Sequence, residues 1–141
     1  MAELAGLRVL VVEDEGMVAL LIEGMLADLG CDVVASAASL SRAVAAARDE
    51  AIDFALLDVN LDGHLVFPAA EILRARGIPF VFSTGYGRVA LLENFKEYQV
   101  LNKPFAIEEL REARDCVEGI APDNVGLGCM SVRVPVAYSR A

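Results

Sequence analysis

Short apolar runs alternate along the chain with stretches whose apolar residues recur at helical spacing. "RVLVV" (Arg8 to Val12) is apolar and β-branched, which predicts a buried strand. "MVALLIEGMLADLG" follows with apolar positions at Met17, Leu20, Leu21 and Met25, predicting a helix that stops at Gly30. "DVVASA" (Asp32 to Ala37) predicts a second strand, and "SLSRAVAAARDE" a second helix capped by Ser39. "FALLD" (Phe54 to Asp58) is the third strand, and "VFPAAEILRARG" the third helix, with Pro68 in its first turn. "PFVFS" (Pro79 to Ser83) is the fourth strand, and "RVALLENFKEY" a weaker helix because its apolar stripe is short. "QVLN" (Gln99 to Asn102) and "IEELREARDCVEG" complete the series as fifth strand and fifth helix.

Near-continuous apolar strands alternating with helices imply a parallel sheet covered on both faces. The expected fold is a doubly wound α/β domain, five strands in the flavodoxin-like order 2-1-3-4-5, with Met17, Met25 and Phe82 in the core. Such sheets carry their functional groups at the carboxyl ends of the strands. The first strand ends in Glu13 and Asp14, the third in Asp58, the fourth in Ser83 and Thr84, the fifth in Asn102 and Lys103. Three carboxylates brought to one edge repel unless some are protonated or a cation sits among them. Oxygen ligands suit a hard divalent ion, and Mg²⁺ accepts one or two carboxylates while keeping several waters. Lys103 is then a point charge for a phosphate group. The pattern describes a metal-assisted phosphoryl site.

Composition narrows the range of partners. The 141 residues suit one domain, and 56% hydrophobic residues supply its core. With 12 basic and 21 acidic residues the formal charge is −9, which opposes docking on nucleic acid or anionic membranes. Cys31, Cys116 and Cys129 lie far apart, form no CxxC, and read as reduced thiols, the first two as core filler. The N-terminus has no basic region followed by a long apolar stretch, and no run approaches a membrane span, so the expected location is cytoplasmic.

"VVEDE", "LLDVN", "STG" and "NKPF", in order at the ends of successive strands, resemble the response regulator receiver domain of two-component signalling. The resemblance covers residues 6 to 119, giving a receiver domain over 1–119 and a tail over 120–141. "PFVFSTGYG" (Pro79 to Gly87) is similar to the PFxFATGYG signature of the FATGUY receivers, with Ser83 in place of alanine. That subgroup is built largely of single-domain regulators associated with HWE and HisKA2 histidine kinases. The resemblance implies Asp58 as phosphoacceptor, Asp14 as a direct Mg²⁺ ligand, Glu13 as a ligand through water, and Asn60 as a ligand through its backbone carbonyl. It implies Thr84 and Lys103 as partners of the phosphoryl oxygens, with Ser83 competing for the hydroxyl role, and a Lys103–Pro104 bond that is commonly cis. A signalling phosphoacceptor is expected rather than an enzyme, acting through protein contacts or as a phosphate sink or shuttle.

Two other classes compete with this reading. A haloacid dehalogenase-type phosphatase also uses a strand-end aspartate, but requires a second aspartate two residues later, where Asn60 stands. A pseudo-receiver that never carries phosphate conflicts with the intact set of Glu13, Asp14, Asp58, Thr84 and Lys103. The chain departs from most receivers at Val100, where an aromatic residue is usual three positions before the lysine, leaving Tyr86 and Tyr98 as the nearby aromatics. The loop "VNLDGH" lacks proline, and His64, the only histidine, reads as a loop residue. Pro122, Gly126 and Gly128 break the tail, which reads as a flexible extension or a docked arm.

Overall fold

The computed structural model describes residues 6–85, 95, 98, 100–103 and 105–117. Its elements are β1 (Arg8–Val12), α1 (Gly16–Asp28), β2 (Asp32–Ala37), α2 (Leu40–Asp49), β3 (Phe54–Asp58), β4 (Asn60–Leu61), β5 (His64–Leu65), α3 (Phe67–Ala75), β6 (Phe80–Thr84), β7 (Val100–Asn102) and α4 (Ile107–Val117). The expected helix between the fourth and fifth strands, Tyr86, Pro104 and the tail lie outside the described residues.

Strands β2-β1-β3-β6-β7 form one sheet in the expected order, with every pairing parallel as the alternation requires. Side chains alternate across it and build two cores. One face carries Leu10, Val12, Leu57, Phe80 and Phe82 against α2 and α3, through Ala43, Ala47, Ala70 and Leu73. The other carries Val9, Val11, Leu56, Val81 and Leu101 against α1 and α4, through Ile22, Leu26, Leu110 and Ala113. Every residue of β3 and β6 is buried, which explains their lack of alternation in the sequence.

Local signals set the helix ends. The Ser39 side chain accepts the Arg42 amide at the start of α2. Gly30 and Gly77 follow α1 and α3 with φ of 84° and 75°, conformations that glycine adopts without a Cβ penalty. Arg76 caps the far end of α2, donating to the carbonyls of Ala47 and Glu50.

Two expectations are corrected. Met17 is not core: it is 82% exposed, because α1 turns Ala19, Ile22 and Leu26 inward and leaves Met17, Leu20 and Leu21 outside. The segment after Asp58 is not an open loop. Asn60 pairs with Leu65 and Leu61 with His64, and the two residues between, Asp62 and Gly63, have φ of 53° and 92°. This is a two-residue hairpin of the type that Asp-Gly favours.

Tyr98 is also fixed in place. It is buried and stacks on Phe80 at 4.3 Å within a cluster that includes Phe67, Phe82 and Phe95. Val100 lies only partly buried against the same core.

Candidate functional site

The carboxyl ends of β1, β3, β6 and β7 bring the chemistry-bearing residues together. Val12 pairs with Leu57, so Glu13 leaves β1 beside Asp58 at the end of β3, and Asp58 pairs with Ser83 on β6. Glu13, Asp58 and Ser83 therefore form one row across the sheet, on the face covered by α1 and α4. Lys103 follows β7, held at its backbone by an N–H donated to the Thr84 carbonyl at 2.7 Å.

Lys103 joins the row. Its Nζ donates to Glu13 Oε1 at 2.9 Å and to Asp58 Oδ2 at 3.3 Å. Glu13 Oε2 also accepts the Glu15 amide, and Asp58 Oδ1 the Asn60 amide, so the backbone on either side helps hold both carboxylates. Glu13 is 2% exposed and Asp58 5%. Burial and the charge of Glu13 push Asp58 up to about 7, against the opposing pull of Lys103. Burial draws the Lys103 ammonium down, but its hydrogen bond to Glu13 and the charges of Asp58 and Glu13 outweigh this and leave it above its ordinary value.

Glu13, Asp14 and Asp58 each offer a carboxylate oxygen within 4.8 Å of the others. An all-oxygen donor set with excess negative charge fits a hard divalent cation such as Mg²⁺, and the raised Asp58 pKa is what such a set shows while one ammonium alone balances it. Asn60 lies beside this group with its side chain engaged elsewhere: Oδ1 accepts the Gly63 amide at 2.7 Å and braces the hairpin. Its amide is thus a turn element, not the acid and base that a dehalogenase-type phosphatase requires.

Thr84 is the last residue of β6, buried, opposite Asn102. Gly85 follows it against the Lys103 stem, where an added Cβ would lie 3.9 Å from Cε. A groove of about 630 Å³ opens beside the carboxylates, walled by Val18, Leu21, Met25 and Phe105 and rimmed by Asp14 and Asp62, a feature the sequence does not display. Helical spacing of Val18, Leu21 and Met25 was its only signal, and the same spacing marks a core face.

A family model described as the response regulator receiver domain matches residues 9–115. The chain belongs to that family. Among curated proteins, this receiver is 31% identical over 109 residues to the transcriptional regulatory protein PdtaR of Mycobacterium tuberculosis, covering 73% of the chain and 52% of PdtaR. It thus spans about half the length of that relative. Among solved structures it resembles SdrG from Sphingomonas melonis Fr1 at 38% identity and a TM-score of 0.70, covering 81% of this chain and 96% of SdrG. It also resembles the receiver domain of a Pseudomonas aeruginosa PAO1 sensor histidine kinase, solved with a magnesium ion coordinated in the active-site cleft, at 29% identity and a TM-score of 0.65, covering 79% and 96%. No described helix is long and apolar enough to cross a membrane.

Proposed function

We propose that this receiver is a response regulator of the FATGUY subgroup that accepts a phosphoryl group from a histidine kinase on Asp58. The observation that carries the reading is the buried row in which Lys103 bridges Glu13 and Asp58 beside Asp14. Asp58 supplies the nucleophilic oxygen: a P–Oδ bond forms as the phosphorus bond to the kinase imidazole nitrogen breaks. Lys103 supplies a fixed positive charge to the transferred group, and Thr84 a hydroxyl at the end of the neighbouring strand. Asp14, Asp58, the Asn60 carbonyl and, through water, Glu13 would hold Mg²⁺. When bound, that ion offsets the negative charge of the incoming oxygens. The "PFVFSTGYG" signature supports an HWE or HisKA2 kinase as donor and a cytoplasmic setting. The protein itself is a phosphoacceptor, not an enzyme acting on a separate substrate.

Acetyl phosphate with Mg²⁺ tests the reading. One phosphoryl group per chain, released by hydroxylamine as an acyl phosphate is, is expected; a label stable to hydroxylamine would contradict it.

The kinase has a surface to meet. A helix that is apolar all round is normally buried, yet α1 presents Met17, Leu20 and Leu21 to solvent next to the groove that leads to Asp58. Leu20→Glu combined with Leu21→Glu is expected to slow transfer from a cognate kinase by at least about tenfold while labelling from acetyl phosphate stays within about twofold. Equal losses from both donors would place the effect in the site rather than on the docking face.

A further inference from the structure

Residues 118–141 continue the chain beyond α4, and their composition differs from that of the domain they follow. All 21 acidic residues lie before Asn124, whereas the stretch from Asn124 onward carries Arg133 and Arg140 and no acidic side chain. Within it "VRVPVAY" (Val132 to Tyr138) alternates, so an extended backbone would set Val132, Val134, Val136 and Tyr138 on one side. A cationic segment with one apolar side is complementary to an apolar surface with acidic neighbours.

The groove beside Asp58 is such a surface. Val18, Leu21, Met25 and Phe105 wall it, and Asp14, Glu15 and Asp62 add negative charge along it, while Lys103 is already engaged by Glu13 and Asp58. Leu21 is 57% exposed. The connection is short. Phe105 lines the groove just before α4 begins, and the 11 residues of α4 rise only about 16 Å to Val117. Residues 118–129, with Pro122, Gly126 and Gly128 among them, can span up to about 40 Å, more than the way back. Such a tether gives the segment an effective concentration on the order of millimolar at the groove. The outer strands β2 and β7 are poorer matches, because pairing there uses a ladder of N–H groups and Pro135 lacks one in mid-segment.

We propose that residues 130–141 occupy this groove as an intramolecular strap, with the valines and Tyr138 covering Leu21, Met25 and Phe105 and the arginines meeting the acidic rim. The strap lies across the path by which a kinase reaches Asp58, and so restrains transfer until the kinase displaces it. That restraint rests on the phosphoacceptor and docking reading above; the contact itself does not.

The test uses the full chain with Val134→Asp combined with Val136→Asp and, separately, Arg133→Glu, positions outside both cores. Amide and methyl NMR shifts are compared with wild type, as is labelling by a cognate kinase and by acetyl phosphate. Both variants are expected to shift Val18, Leu21, Met25 and Phe105 independently of protein concentration, leaving α2 and α3 unmoved. Transfer from the kinase is expected to speed up about three- to tenfold in the double variant, while labelling by acetyl phosphate, small enough to pass the strap, stays within about twofold. Unmoved groove signals, or shifts along β2 instead, would overturn the strap. Shifts that vanish on dilution would assign the groove to a second copy and overturn it too. Slower transfer from the kinase would make the segment part of the kinase contact and overturn the restraint. A wild type that takes no label while the groove signals shift would remove the phosphoacceptor reading, and the restraint with it, but leave the contact standing.

Discussion

Asp58→Asn is expected to take up at least about a hundredfold less phosphoryl group than wild type from acetyl phosphate and Mg²⁺ while keeping the fold. Asparagine preserves the shape, and its carbonyl oxygen can still accept from Lys103, which also keeps its 2.9 Å bond to Glu13. The amide has no carboxylate pair to offer phosphorus. Glu13, Asp14 and Asp62 remain as other carboxylates near the groove, so label persisting at the wild-type level would mean that one of them is the acceptor. Incorporation measured by intact mass decides between the two.

The second large effect is on stability. Asp58 sits at about 7 in the fold, against an unfolded value near 4, because burial and Glu13 disfavour its charge. A raised carboxylate contributes stability that is complete below about pH 4 and is lost as pH rises through about 7. In EDTA the wild type is therefore expected to lose stability relative to Asp58→Asn as pH goes from about 5 to about 8.5. After allowance for solvent screening, the variant should be more stable by about 1–3 kcal/mol at the alkaline end, with the advantage vanishing at the acid end. Mg²⁺ works in the opposite direction. Binding only the folded wild-type site, it is expected to add about 2.7 kcal/mol at a hundred times its dissociation constant, and much less in Asp58→Asn. Melting curves across pH, with EDTA and with Mg²⁺, check both signs. A variant advantage that grows toward acid pH would show that Asp58 is ionised at rest.

Much of this arrangement was legible in the sequence, for reasons that particular residues make clear. The spans Arg8–Val12, Asp32–Ala37 and Phe54–Asp58 could be read as strands because parallel strands buried on both faces are apolar without interruption. The polar residues at the ends of β1, β3 and β7, namely Glu13, Asp58 and Lys103, then had to meet at one edge, since a parallel sheet leaves all the carboxyl ends together. The orientation of α1 was not readable. With Met17, Leu20, Leu21, Ile22, Met25 and Leu26 spread around the helix, no polar face told the core side from the exposed one, and packing against β1 and β2 decided it. The hairpin after Asp58 escaped because strands of two residues are too short for any periodicity, although Asp62-Gly63 carried a turn signal. The sequence offers Ser83 only as a rival to Thr84 for a phosphate oxygen. Its unpaired hydroxyl beside Asp58 depends on strand register, which the sequence does not display.

The central claim, that Asp58 carries the phosphoryl group, is tested most directly by trapping the acyl phosphate with borohydride after labelling with acetyl phosphate and Mg²⁺, then sequencing the peptides by mass spectrometry. Reduction turns a phosphorylated aspartate into homoserine and leaves free carboxylates untouched. Homoserine at position 58 and at no other aspartate is the expected result. Homoserine at Asp14 or Asp62 with Asp58 unmodified would contradict the account.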